Sequence, residues 1–196
     1  MKRGGVVVLL LLAGCAPDFR DASRLLAQSA PAPREPLAER RTIYFDAQHT
    51  RVRRQWGVLI QHDNSTVLHG SDEQFFADGT PEYVRHYDHG EPCGAWRAFW
   101  VNGRPKMEAE YGASEPRPMR WWHENGQLSS EGLASNGLKE GEWTFWHDNG
   151  AKLSTGRYVG GRREGTWLFW TATGAPLEAL EFRGDVRVRK VPFPGS

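Results

Sequence analysis

From about residue 70 onward, aromatic and polar positions alternate in short runs, each run is closed by a glycine, and the whole pattern recurs about every 24 residues. Turn glycines Gly79, Gly103, Gly126, Gly150 and Gly174 anchor five copies, with steps of 24, 23, 24 and 24 residues. A ring stands four positions before each anchor, at Phe75, Phe99, Trp122, Trp146 and Trp170. Seven before it are Asp72, Trp96, Met119, Trp143 and Trp167, and eight after it are Tyr87, Tyr111, Ala134, Tyr158 and Phe182. A period of this length marks stacked supersecondary units. Alternation such as Trp167 and Phe169 against Leu168 and Trp170 predicts strands. Glycine at this density argues against helix, since each interior glycine costs about 1 kcal/mol relative to alanine.

Asp78, Asn102, Asn125 and Asn149 precede four of the five anchors. Asp-Gly or Asn-Gly between strand formers predicts a hairpin, with positive φ at both residues of a type I′ turn. A second turn, at Gly137 to Gly141 and again at Gly161 to Gly165, closes each hairpin onto the next. The predicted fold is all-β, an elongated array of antiparallel hairpins in which the five copies supply ten strands, roughly 48 Å end to end. Rings on both sides of one run exceed what a sheet with one wet face needs, so either a bulge turns the second ring inward or both faces bury aromatics. The ring four before each anchor is expected to pack between neighbouring hairpins. Terminal copies need caps, for which the candidates are Gln55 to Ile60 and Val186 to Val191. The resulting division is capping strands over 41–69, repeats over 70–185, and a C-terminal cap and tail over 186–196.

The first 40 residues break this pattern. Met1-Lys-Arg is followed by the apolar run Gly4 to Ala13, which ends in Leu12-Ala-Gly-Cys15. That run is too short to span a bilayer comfortably and carries signal-peptide flanks. It resembles a bacterial lipoprotein signal, which implies removal of residues 1–14 and acylation of Cys15. Several acyl chains, at about 0.8 kcal/mol per buried methylene, would hold the chain to a membrane. Ala16 rather than aspartate after the cysteine implies, by the sorting tendency of such proteins, the outer membrane, facing the periplasm or the cell surface. Residues 15–40, with Pro17, Pro31, Pro33 and Pro36 among polar residues, read as a flexible tether reaching roughly 25 to 30 Å.

The unit Gly141-Glu-Trp-Thr-Phe-Trp-His-Asp-Asn-Gly150, with Gly126-Gln-Leu before it and Tyr158, Gly161 and Gly165 after it, resembles the variant MORN repeat of bacterial proteins, antitoxin-like ones among them. The resemblance covers roughly residues 70 to 184. It departs in the first copy, which lacks the tryptophan, and in the third, where Glu115-Pro-Arg-Pro118 replaces the expected glycine. It implies an antiparallel hairpin array used for protein or membrane attachment, and no catalytic residue.

Charge adds little. The chain carries 25 basic and 24 acidic side chains. Loss of Lys2 and Arg3 with the leader would leave a formal charge of −1, which gives no global attraction to nucleic acid. With Cys15 acylated, Cys93 is alone and no intrachain disulfide is available. Cys93 aligns with Glu140 and Glu164 and reads as a turn residue rather than a reactive thiol. The chain has no Gly-x-Ser-x-Gly, phosphate loop, His-Glu-x-x-His or Cys-x-x-Cys, so it is read as a non-enzyme without cofactors. His123 and His147, beside Glu124 and Asp148, recur at equivalent turn positions and are weak metal candidates, read chiefly as solvated turn residues. His86 and His89 flank Tyr87-Asp88 in another column. Arg51, Arg53 and Arg54 before the array, and Arg183, Arg187, Arg189 and Lys190 after it, are read as guards of open sheet edges. Trp96, Trp122, Trp146, Trp170, Tyr111 and Tyr158 form the possible ligand face, with core packing as their competing use. The expectation is a membrane-anchored, non-catalytic scaffold that binds another envelope protein. Alternatives are binding of envelope glycan or lipid headgroups through exposed rings and arginines, and antitoxin-like binding of a toxin.

Overall fold

The computed structural model describes residues 37–112 and 116–195. Their regular structure consists of strands alone: β1 (Leu37–Tyr44), β2 (Val52–Ile60), β3 (Thr66–Phe75), β4 (Pro81–Asp88), β5 (Glu91–Phe99), β6 (Pro105–Tyr111), β7 (Arg117–Trp122), β8 (Leu128–Ser135), β9 (Leu138–Trp146), β10 (Lys152–Val159), β11 (Arg162–Trp170), β12 (Pro176–Arg183) and β13 (Val186–Val191). They form one antiparallel sheet in which every strand pairs with the next in chain order. The five copies are β3 to β12, and β1, β2 and β13 flank them. Leu37 to Arg40, read from sequence as tether, are strand because they find partners at Ile60 to Gly57 on β2. Gln55 to Ile60 falls in β2, which pairs with the first repeat strand β3 on one side and with β1 on the other, so the N-terminal edge of the sheet is β1. Val186–Val191 is the C-terminal edge strand.

Each copy carries two turns of different type, and the sequence reading placed the type I′ turn at the wrong one. At the anchor end of β9 and β10, His147 N–H donates to the Ala151 carbonyl at 2.8 Å and Gly150 N–H donates to the His147 carbonyl at 3.0 Å. Only the glycine of each Asx-Gly pair has positive φ, 77° to 90° across the five anchors. This is a type I turn closed by a glycine bulge. The Asx residue serves another purpose: its Oδ1 accepts the backbone N–H two residues on, at 2.9 to 3.0 Å in four copies. The type I′ turns lie at the opposite end. There His89-Gly90, Asn136-Gly137, Gly160-Gly161 and Gly184-Asp185 have positive φ at both residues.

Alternation along β9 puts Trp143 and Phe145 on one face and Thr144 and Trp146 on the other. The first face is the core. Trp143 and Trp167 are 0% and 2% exposed, and Trp167 packs with Leu180, Phe182, Phe145, Tyr158 and Phe169. Each tryptophan lies flat on a glycine of the adjacent strand: a Cβ added at Gly132 would fall 2.5 Å from the Trp143 ring, and one at Gly156 2.4 Å from Trp167. Each indole N–H also donates across the sheet to one backbone column. Trp96 reaches the His86 carbonyl at 3.0 Å, Trp143 that of Leu133 at 2.7 Å, and Trp167 that of Arg157 at 3.3 Å. Long cations stand over the rings of this layer. Lys139 Nζ stands 4.8 Å from both the Trp143 and Phe145 rings, and the Arg163 guanidinium 4.1 Å over Phe182. Burial pushes the Lys139 ammonium below its ordinary value.

The opposite face carries cross-strand polar pairs, Arg97–Glu108 at 3.5 Å, Arg120–Glu131 at 3.2 Å and Thr144–Thr155 at 3.0 Å. Trp122, Trp146 and Trp170 are only half-buried. A bulge does occur at the anchor hairpins, but on the second strand. Lys152 faces Trp146 and Ser154 faces Phe145, which leaves Leu153 out of the ladder. The ring before the bulge is not rotated inward, so the column packed in the core is the one seven before the anchor, not four.

Candidate functional site

The repeat supplies its own baseline, and the first copy departs from it on the core face. Asp72 stands in the column of Trp143 and Trp167, Arg85 in that of Gly132 and Gly156, and Gln74 in that of Phe145 and Phe169. Asp72 is 2% exposed. A buried carboxylate needs a partner, and Arg54 on β2 supplies a two-pronged one, Nε to Oδ1 at 2.8 Å and Nη2 to Oδ2 at 3.1 Å. That hydrogen-bonded carboxylate raises Arg54 above its ordinary value. Arg54 is thus an interior ion-pair residue and not, as read from sequence, an edge guard. Arg85 lies directly across from Asp72 in the β3–β4 ladder. Its guanidinium sits 4.1 Å over Tyr83 and 5.2 Å over Trp96, and its buried Nε has no hydrogen-bond partner among the described residues. Tyr87 and Tyr111 flank Trp96 at 5.2 and 4.3 Å. Burial, with the charge of Asp72, pushes the Tyr83 phenol upward. The result is a cation framed by rings beside an already neutralised pair, suited to holding a carboxylate or an aromatic group.

His123 and His147 have a structural task. Their Nε2 atoms lie 3.0 and 3.2 Å from the carbonyls of Trp146 and Trp170 in the following hairpin, so each ring donates from Nε2. Trp100 occupies the same column and donates its indole N–H to the Trp122 carbonyl at 3.1 Å. Beside this ladder runs a second one. Asn102 Nδ2 donates to the Glu124 carbonyl at 2.9 Å, Asn125 to that of Asp148, and Asn149 to that of Ala172 at 2.8 Å. The histidines are therefore tied into the turn edge rather than being solvated neighbours of it. Among the described residues, metal-ligating groups converge instead at His69, Asp88 and His89.

The six rings of the possible ligand face do not form one row. Trp96, Tyr111 and Tyr158 lie on the core face, whereas Trp122, Trp146 and Trp170 lie on the other. Trp170 is covered by Lys152, 5.2 Å from its ring, and by Phe193 at 5.5 Å. Cys93 is free and half-buried. Burial, then the charge of Asp88, pushes its thiol upward, away from a reactive thiolate. Cys15 and the leader lie outside the described residues. On the edge strand, Arg189 pairs with Glu181 and Lys190 lies 3.9 Å from Glu178. Sequence reasoning missed the roles of Asp72 and Arg85, although the signal was available: an acid in a tryptophan column, and an arginine in a glycine column.

Residues 118–136 and 139–159 match the family model of the MORN repeat variant. Each match coincides with one hairpin, β7–β8 or β9–β10, so the chain carries MORN-type repeats arranged as a hairpin sheet. No curated protein matches the chain.

Proposed function

We propose that this protein is a non-catalytic interaction scaffold of the cell envelope, held to the outer membrane by acyl chains on Cys15, which docks an envelope protein through the charged aromatic patch of its first copy. The observation that carries this reading is the exchange, in that copy alone, of a tight tryptophan-on-glycine layer for Asp72 and Arg85, with Arg54 of the neighbouring β2 paired to Asp72. In the fourth and fifth copies the same columns are filled by buried rings whose indole N–H groups are already bonded, which leaves them nothing to offer a ligand. Arg85, between Tyr83 and Trp96, would receive an acidic or aromatic side chain of the partner. The leader and Leu12-Ala-Gly-Cys15 support the anchor.

A photo-crosslinking residue placed at Tyr83 in cells should give one discrete protein adduct that disappears with Arg85→Ala, while the same probe at Thr155, on the opposite face, should give none. Adducts at both positions, or at neither, would refute the docking face. Cys15→Ser should move the protein from the membrane to the soluble fraction. Persistence in the membrane pellet at high salt would refute the acyl anchor.

A further inference from the structure

The type I′ turn joining β4 to β5 carries side chains found at no equivalent turn. In the column of Ser135, Val159 and Arg183 stands Asp88, and in that of Asn136, Gly160 and Gly184 stands His89. In the column of Glu140 and Glu164, one hairpin earlier, stands His69. The three converge. Asp88 Oδ1 lies 2.6 Å from His89 Nδ1 and 3.3 Å from His69 Nδ1, and the three ligand atoms all fall within 4.8 Å of one another.

Protonation at this cluster is over-constrained. Glu140 and Glu164 each accept the N–H of a turn residue in the next hairpin, Gly160 and Gly184, at 2.8 Å. His69 fills that role through Nδ1, which accepts the N–H of His89 at 3.4 Å. An accepting Nδ1 carries no proton, so it meets Asp88 Oδ1 at 3.3 Å lone pair to lone pair. A proton on Nδ1 or a cation bound there removes that conflict, and either one takes the single Nδ1 lone pair from its long contact with the His89 amide.

We propose that His69, Asp88 and His89 form a site for a divalent transition-metal ion, zinc by preference, bound through Nδ1, Oδ1 and Nδ1. Two imidazoles and a carboxylate match the ligand chemistry of zinc. Tetrahedral bonds of about 2.0 to 2.2 Å place ligand atoms roughly 3.4 Å apart. The His69–Asp88 separation already meets that value, and the His89–Asp88 pair reaches it by a small rotation of two exposed side chains. The fourth position faces solvent beside a hollow lined by Leu59, Gln61, His62, Asp63, Val67 and His89, where water or an outside ligand would complete the sphere. The site goes beyond the proposed scaffold role, and its test does not depend on the docking partner.

The sister copies supply substitutions that keep the turn. His89→Asn installs the residue that Asn136 provides at φ 49°, the same φ as His89, and Asp88→Ser installs the equivalent of Ser135. Isothermal titration of zinc sulfate into the detergent-solubilised full chain should show one saturable site, and cobalt titration the intense visible bands of four-coordinate Co(II). Each substitution should weaken zinc by about ten-fold or more, as loss of a ligand should exceed the loss of its supporting contacts. His147→Ala should leave affinity unchanged. Absence of saturable zinc uptake by the wild-type chain would overturn the proposal, as would uptake unaltered in His89→Asn and Asp88→Ser or lost in His147→Ala.

Discussion

Replacing Gly132 by alanine tests the central packing claim. Gly132 is not among the glycines with positive φ, so an alanine backbone is allowed there and the penalty is steric. The new Cβ would lie 2.5 Å from the Trp143 ring, against about 3.5 to 4.0 Å for an ordinary carbon contact. The ring has no easy retreat. It is fully buried, its N–H is bonded to the Leu133 carbonyl at 2.7 Å, and Phe145 and Tyr158 stand 6.0 and 6.2 Å from it. Overpacking costs about 1 to 3 kcal/mol, and a strained indole hydrogen bond about 1 more. Lower entropy of the unfolded chain returns roughly 0.5 to 1 kcal/mol, so the net loss should be about 1 to 3.5 kcal/mol. The junction of the second and third copies contains the compensated version, Ala109 opposite Met119. Trp143→Met alone should cost about 2 to 4 kcal/mol, but in the Gly132→Ala background it relieves the overlap, so the double variant should be at least about 1 kcal/mol more stable than additivity predicts. Urea melts followed by far-ultraviolet circular dichroism measure all four corners of the cycle. A Gly132→Ala chain within about 0.5 kcal/mol of wild type, or strictly additive losses, would show that the ring does not rest on the glycine.

Arg54→Ala should destabilise by about 3 kcal/mol, because it strands the buried Asp72 carboxylate, whereas Arg54→Met with Asp72→Leu should restore most of that loss; equal stability of the single and double variants in denaturant melts would contradict the pairing. Asn149→Asp keeps the Oδ1 acceptor for Ala151 but turns an oxygen toward the Ala172 carbonyl, so it should cost about 1 to 3 kcal/mol, and a neutral result would remove the asparagine ladder from the account. The backbone N–H and guanidinium of Arg163 hold the Asp185 carboxyl below its ordinary value. Its contribution is therefore full above the unfolded-state value of about 3.9 and lost as pH falls through the lower native one. Asp185→Asn should flatten the acid limb of a stability-against-pH curve, and an unchanged limb would refute the assignment.

The hairpin array was legible because five copies average out local noise: the Asx-Gly and aromatic columns recur even where one copy degenerates. The turn types were not. Asp-Gly and Asn-Gly suit a two-residue type I′ loop and a type I turn with a glycine bulge equally well, and what separates them is where the ladder stops. Pairing ends at Trp146↔Lys152 at the anchor, but runs to Val159↔Arg162 at the other end. Alternation put Trp167 and Trp170 on opposite faces, as in the sheet, yet carried no label for the inner one. That label was Gly132 and Gly156, since only a ring facing a bare backbone can lie flat on the sheet. Arg54 escaped because its partner Asp72 lies eighteen residues away, and pairing at that distance depends on register, which a one-residue slip would invert.

Departures from the repeat can be sorted by whether packing explains them. Where the second copy meets the third, both members of the layer change together, with Met119 for tryptophan and Ala109 for glycine, so the volume stays filled. The first copy differs in kind. A carboxylate and a guanidinium enter an apolar layer, and desolvating such a pair is at best neutral for stability against well-packed apolar side chains of similar volume. Arg85 deepens the discrepancy, because its Nε is buried without a partner among the described residues and such a group lowers stability. Stability alone would favour the tryptophan-on-glycine pair that the same sheet builds twice. The same copy also carries the His69, Asp88 and His89 cluster, in the columns of Cys93, Glu140 and Glu164, of Ser135, Val159 and Arg183, and of Asn136, Gly160 and Gly184. Two departures that packing does not require therefore fall on β3, β4 and the turn after them. Both the proposed docking patch and the proposed metal site rest on that segment, whereas the fourth and fifth copies keep the tryptophan-on-glycine layer unbroken.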